Sequence, residues 1–115
     1  MPQRHHTIDY FELTAADLPA AMRFYAAAFG LEFQEYGDAY AGIRGVDGGE
    51  VGGIRHDAEP AAPLVVLYSD DLESSLEAVE RAGGRITKPV FSFPGGRRFH
   101  FVDPGGNELA VWSAR

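Results

Sequence analysis

The sequence predicts an α+β protein built of two repeated βαβββ modules, whose curved mixed sheets form a cleft or incomplete barrel. Strand-like Tyr10-Phe11-Glu12-Leu13, then Asp17-Leu18, then apolar positions Ala21, Met22, Tyr25, Ala28 and Phe29 lead to Gly30. The same order returns as Leu64-Val65-Val66-Leu67, Asp71-Leu72, then Ser75, Leu76, Val79, Ala82 and Gly84. Each half then closes on a glycine-rich turn and a last strand, Val46-Asp47-Gly48-Gly49-Glu50-Val51 in one and Val102-Asp103-Pro104-Gly105-Gly106-Asn107-Glu108-Leu109 in the other. At 115 residues, 45% of them apolar, the chain suffices for one well-formed core and is too short for two independent domains. A single domain, 1–115, is therefore expected, with modules at about 5–58 and 63–113 joined by a short Pro/Ala linker, Glu59-Pro60-Ala61-Ala62-Pro63. A cleft between paired modules is a natural place to hold a small molecule.

Residues 7–13 alternate loosely, with Ile8, Tyr10 and Glu12 on one face and Phe11 and Leu13 on the other, the period of a half-buried strand. Asp17 can accept from the free amides of the next turn, and Pro19 falls where a helix tolerates a missing donor. A helix is expected from about Leu18 to Phe29, ended by Gly30. Glu32–Glu35, Ala39–Arg44 and Val51–His56 are short strands, separated by Gly37-Asp38 and Asp47-Gly48-Gly49 turn signals. In the second half Leu64–Tyr68 is a strand, and Asp70 with Glu73 resembles a capping box. Leu72, Leu76 and Val79 give the stripe of an amphipathic helix stopped by Gly83-Gly84. Strands Arg85–Thr87, Arg97–Val102 and Asn107–Trp112 complete the repeat, the last two joined by Asp103-Pro104-Gly105-Gly106.

Composition excludes several function classes. A formal charge of −7 argues against a nucleic-acid partner, whose binding rests largely on Lys and Arg, and permits cationic ligands. The absence of cysteine removes disulfides, thiolate chemistry and cysteine-ligated metal. The longest apolar run, Ala61–Tyr68, contains a proline and is far short of the ~20 residues of a bilayer span, so no membrane partner is expected. The start, Met1-Pro2-Gln3-Arg4-His5-His6, lacks the layout of a signal peptide, and a cytoplasmic location is expected. Pro94-Gly95-Gly96 lacks the Lys-Ser/Thr ending of a phosphate loop and precedes no helix, which discounts nucleotide binding.

The double βαβββ plan, Phe11-Glu12-Leu13 leading to Asp17-Leu18, the Phe24-Tyr25…Phe29-Gly30 helix end and Asp103-Pro104-Gly105-Gly106-Asn107 together resemble the vicinal oxygen chelate superfamily. That group includes glyoxalase I, bleomycin-resistance and fosfomycin-resistance proteins, and extradiol dioxygenases, and the resemblance covers nearly the whole chain. It implies a homodimer, which would also cover exposed sheet edges. It further implies a divalent metal held by histidine, glutamine or glutamate on the first and fourth strands of each module. Carried over by position, the resemblance puts Tyr10 and Leu64 at the first-strand sites and Gly52 and Ala110 where acidic ligands would stand. Leu64, Gly52 and Ala110 have no donor atom, and tyrosine binds metal well only as phenolate, which its ordinary pKa of ~10 disfavours. Neither metal nor cofactor is therefore expected.

Other residues are weighed as replacements. His5 and His6 are adjacent and point to opposite faces of a strand, and a frayed amino terminus is expected for both. His56-Asp57 reads as a solvated loop pair. His100, flanked by Phe99 and Phe101, shares a face with Arg98 and can look into the cleft as a proton donor or acceptor, or stand as a satisfied sheet histidine. The same alternation joins Glu12, Val66 and Tyr68 to Tyr10 and Leu64, and Glu108 and Trp112 to Ala110, giving aromatic walls with a few polar groups. Tyr10, Tyr68 and Trp112 can equally fill a core or a subunit contact, Glu12 and Glu108 can be solvated charges, and Arg97-Arg98 a surface pair or an anion site.

The expected ligand-binding set is Tyr10, Glu12, Leu64, Tyr68, Arg98, His100, Glu108, Ala110 and Trp112. The expected function is metal-free binding of a small, partly aromatic or amphipathic molecule, as the bleomycin-resistance branch does by sequestration. One alternative is a glyoxalase-like lyase, isomerase or dioxygenase with an unusual metal or acid–base site using His100, Glu12 or Glu108. The other is a degenerate module used for protein interaction.

Overall fold

Asp17 and Asp71 start the two helices in the same way, and the repeat is built around them. The computed structural model describes residues 3–115. The elements run β1 (Thr7–Ala15), α1 (Leu18–Phe29), β2 (Phe33–Glu35), β3 (Tyr40–Arg44), β4 (Glu50–His56), β5 (Leu64–Tyr68), α2 (Leu72–Arg81), β6 (Arg85–Phe93), β7 (Gly96–Val102) and β8 (Glu108–Ser113). The order is βαβββ twice. The chain forms two compact units, Tyr10–Pro63 and a second in which residues 3–9 join Leu64–Arg115. Among the described residues each unit has one helix and a four-stranded mixed sheet.

In the first unit the strands lie in the order β2-β3-β4-β1, antiparallel except for the parallel β4/β1 pair. The Asp17 carboxylate accepts from the Ala20 amide at 3.0 Å, Pro19 sits in the first turn, and Gly30 ends the helix at φ 70, where a Cβ would be strained. Leu18, Ala21, Met22 and Tyr25 form the stripe of α1 that packs on Phe11, Leu13, Ala41, Ile43 and Ile54. Gly52 lies on this helix-covered side, because a Cβ there would stand 2.7 Å from the Phe11 ring. The position opposite Glu12 is Gly53. Counting by family position therefore misplaces Gly52 by one residue, which in a strand means the other face.

The second unit has the order β5-β8-β7-β6, with β5/β8 parallel and the other pairs antiparallel. Its core of Leu72, Phe99 and Val111 is extended by Leu67, Leu76, Val79, Ile86 and Phe101. The cap of α2 is Asp71, accepting from the Ser74 amide at 3.1 Å, not an Asp70/Glu73 box. Glu73 is instead drawn to the Arg97 guanidinium, with contacts of 2.5 and 3.2 Å. Strand β6 continues past Thr87 to Phe93, absorbing Pro89, which has no amide to give, through register shifts on either side of Lys88.

The amino-terminal histidines are not frayed. His5 Nδ1 accepts from the Asp70 amide at 2.9 Å, His6 Nε2 lies 2.9 Å from Ser75 Oγ, and the two rings stack with centroids 3.7 Å apart. The positive φ of His6, 58°, turns both rings toward the start of α2, which strict strand alternation forbids.

Candidate functional site

On the first unit the face away from α1 carries Tyr10 and Glu12 of β1, Gly53 and Arg55 of β4, and Tyr40 and Gly42 of β3. Tyr40 Oη donates to Glu12 Oε2 at 3.1 Å and lies 2.7 Å from Tyr10 Oη. Since a phenol has one proton and Tyr40 gives its own to the carboxylate, Tyr10 is the donor to Tyr40. Glu12 is only 5% exposed, and Arg55 Nε stands 3.6 Å from its other oxygen while Nη1 reaches Asp57 at 3.2 Å. Burial, reinforced by Glu50 and Glu12, pushes Tyr10 up to about 12. Burial also drives Tyr40 upward, reinforced by the charge of Glu12 and by the hydrogen bond Tyr40 donates to it. Both stay neutral phenols at neutral pH. The two glycines make the space: a Cβ on Gly53 would collide with the Tyr40 phenol, and one on Gly42 with the Glu50 carboxylate, to which Tyr36 Oη donates.

On the second unit the register puts Val66 beside Ala110, Tyr68 beside Trp112, Trp112 beside Arg98, and His100 between Ala110 and Lys88. Leu64 and Glu108 join this face by alternation, so the strand periods assemble Leu64, Tyr68, Arg98, His100, Glu108, Ala110 and Trp112 on one surface. Aromatic rings line it. Trp112 meets Tyr68 edge-on at 5.0 Å and Phe93 at 6.1 Å, and the Arg98 guanidinium carbon lies 5.5 and 5.7 Å from the Phe91 and Phe93 rings. Trp112 Nε1 donates to Asp9. His100, 4% exposed, has no hydrogen-bond partner at either ring nitrogen, and its Nδ1 faces Glu108 Oε2 across 3.5 Å. Burial, then the charges of Arg98 and Lys88, lower its pKa to about 4 against the opposing pull of Glu108, so the ring is neutral.

The residues that sequence reasoning misses are Tyr40, Arg55, Asp9, Phe91 and Phe93. Tyr40 is within reach of it, since Ala41 and Ile43 mark the core side of β3 and leave Tyr40 on the other. Phe91 and Phe93 lie beyond Pro89, where the strand signal stops.

The family's metal positions fail a donor test. Leu64 and Ala110 offer hydrocarbon, the position opposite Glu12 is a glycine, and Tyr10 is a hydrogen-bonded phenol held protonated. Among the described residues no three of His, Cys, Asp and Glu are grouped to hold an ion. Nor is any helix among them long and apolar enough to cross a membrane.

Comparison with known proteins gives a consistent fold. The chain is 25% identical to "Putative glyoxylase CFP32" of Mycobacterium bovis and of Mycobacterium tuberculosis, over 96% of its own length and 47% of theirs. It thus spans about half the length of these curated relatives. The Mn(II)-bound glyoxalase of Novosphingobium aromaticivorans superposes at TM-score 0.71 with 27% identity, covering 98% of this chain and 40% of that one. A Streptomyces coelicolor methylmalonyl-CoA epimerase gives 0.70 at 15% identity, covering 96% of this chain and 98% of the epimerase. An extradiol ring-cleaving dioxygenase of B. fuscum gives 0.73 at 16%, covering 97% of this chain and 33% of the dioxygenase. These last two likenesses concern the fold alone. The family model for this fold matches residues 7–111, and the chain belongs to the Glyoxalase/Bleomycin resistance protein/Dioxygenase superfamily.

Proposed function

We propose that this chain binds a small, partly aromatic organic molecule on a helix-free sheet face, without a resident divalent metal. The observation that carries the reading is the aromatic surface of the second unit, where Tyr68, Trp112, Phe91 and Phe93 surround Arg98 and the buried His100. Apolar walls with a few fixed polar groups are the ordinary make-up of a small-molecule site. The Novosphingobium aromaticivorans relative is Mn(II)-bound; in this chain the positions to which the family resemblance assigns ligands present a phenol, a glycine and two hydrocarbon side chains. A soluble cytoplasmic homodimer is part of the proposal, supported by Phe24 and Phe29, which α1 leaves 58% and 70% exposed.

A second reading, acid–base catalysis without metal, is favoured by the Tyr10–Tyr40–Glu12 chain, in which Tyr10 donates to Tyr40 and Tyr40 to the buried carboxylate. A thermal-shift screen against a diverse compound library separates the possibilities, because a ligand that binds only the native state raises its melting temperature. Stabilisation by aromatic compounds with no turnover supports the binder, and turnover of a hit supports the enzyme. A library with no stabilising compound, or a chain that is monomeric by light scattering at micromolar concentration, counts against the corresponding part of the proposal.

A further inference from the structure

We infer that Nε2 of His100 is the recognition point for a ligand hydroxyl, and that the aromatic face of the second unit takes phenols in preference to their ethers. This rests on the small-molecule reading above and adds the group the ligand must carry.

A polar atom this well buried normally has a partner, since leaving one unsatisfied sacrifices its hydration with no return. His100 is 4% exposed, yet neither Nδ1 nor Nε2 has a hydrogen-bond partner. A neutral imidazole has one N–H and one bare nitrogen. The Glu108 carboxylate, which only accepts, stands 3.5 Å from Nδ1 and takes a further hydrogen bond from Thr87 Oγ1 at 3.2 Å. It therefore favours the proton on Nδ1 and leaves Nε2 as a lone pair. Protonating Nε2 as well, which would make the imidazolium, is opposed by burial and by the neighbouring charges of Arg98 and Lys88. What the site lacks is a donor brought from outside.

The surroundings define what carries that donor. Phe91 lies 5.8 Å from the imidazole and takes part in the same aromatic lining as Phe93 and Trp112, which suits a flat ring. As a hydroxyl gives its hydrogen to Nε2, negative charge gathers on its oxygen, and the positive potential of Arg98 and Lys88 stabilises that charge. A phenol tolerates this shift better than an aliphatic alcohol. A carboxylate would face the lone pair with no hydrogen to give, and an ether has none.

The test uses the isotope-labelled chain, residues 1–115. Long-range imidazole proton–nitrogen correlation at pH 7 should show His100 with Nδ1 protonated and Nε2 bare; the opposite tautomer overturns the inference before any ligand is added. Chemical-shift titrations with p-cresol and its methyl ether should then give tighter binding of the phenol by about 2- to 10-fold, the scale of one net hydrogen bond. His100→Phe should remove that preference while retaining binding of the ether. Equal affinity of phenol and ether for the unaltered protein sinks the role of His100 and leaves the small-molecule reading standing. No p-cresol binding at millimolar concentration overturns the phenol assignment, while the library screen judges the broader reading separately.

Discussion

The indole N–H of Trp112 lies 3.3 Å from each carboxylate oxygen of Asp9, binding the start of the first strand to the last strand within the second unit. Burial pushes the Asp9 carboxyl above its ordinary value, with the bond from Trp112 pulling the other way. A raised carboxyl pKa means that the folded chain holds this proton more firmly than the unfolded one. Its contribution is fully present below the unfolded pKa and is lost as pH rises through the folded value. Asp9→Asn, which keeps an oxygen for the indole and carries no charge, is expected to hold or raise the melting temperature at pH 7. Asp9→Ala is expected to lower it, and an Asn variant melting as low as the Ala variant would contradict this account.

His100 titrates in the opposite sense. Its folded pKa of about 4 lies below the ordinary histidine value of ~6.5. Its neutral form therefore contributes stability above the unfolded pKa, and that contribution drains away as pH falls toward the folded value. In this window one proton bound preferentially by the unfolded chain gives a slope of up to about 1.4 kcal/mol per pH unit. Urea denaturation between pH 7 and 4.5 should show a shallower fall for His100→Phe than for the unaltered protein. Parallel curves would place the acid sensitivity elsewhere.

How much of this is legible in the sequence follows from what each signal encodes. The repeat, the Leu18–Phe29 helix with its Asp17 cap, and Leu64–Tyr68 can be read because local periodicity and capping determine them. The pairing of Arg98 and His100 on one face follows from the same period of two. Gly52 is misplaced when family position is carried across without reference to Ile54, whose burial puts Gly52 on the helix side. Phe91 and Phe93 stay hidden because Pro89 ends a strand by local rules, while pairing with β7 carries it onward. His5 and His6 dock on α2 through contacts more than sixty residues apart in the chain, which no local pattern records.

Gly53 and Tyr40 offer a test of the first unit. A Cβ on Gly53 would come within 2.4 Å of the Tyr40 ring and would collide with its hydroxyl. Gly53→Ala must therefore move the phenol away from Glu12, at an expected cost of about 1–3 kcal/mol. Tyr40→Phe removes the hydroxyl and its donation to Glu12 at about 0.5–1.5 kcal/mol, the net value of one hydrogen bond. Because the collision involves that hydroxyl, the alanine should cost less when Tyr40→Phe is already in place, and a double-mutant cycle by urea denaturation measures the difference. Strict additivity would mean that Gly53 is required for some other reason.

The positions to which the family resemblance assigns metal ligands lack donors, and the proposed absence of a metal can be tested without knowing the ligand. A first-strand tyrosine competes for a divalent ion only after losing its proton. Tyr10 is pushed up to about 12 by burial and by the nearby Glu50 and Glu12 charges, and its hydrogen is engaged with Tyr40. Leu64 and Ala110 have no atom to donate, and the residue paired with Glu12 across the β1/β4 ladder is Gly53. Glu12 is the carboxylate best placed to substitute, and it already accepts from Tyr40 and faces Arg55, whose positive charge opposes a second cation. Purified protein is therefore expected to contain well below one divalent ion per chain by elemental analysis, and EDTA should leave its melting temperature unchanged. Removing Arg55 and the Tyr40 hydroxyl together, as Arg55→Ala with Tyr40→Phe, takes away these two contacts of the carboxylate but supplies no second ligand, so added Mn(II) should still give no stabilisation. About one ion per chain in the unaltered protein, with a melting temperature that falls on chelation as expected when a metal is part of the folded state, would show that other residues complete a site.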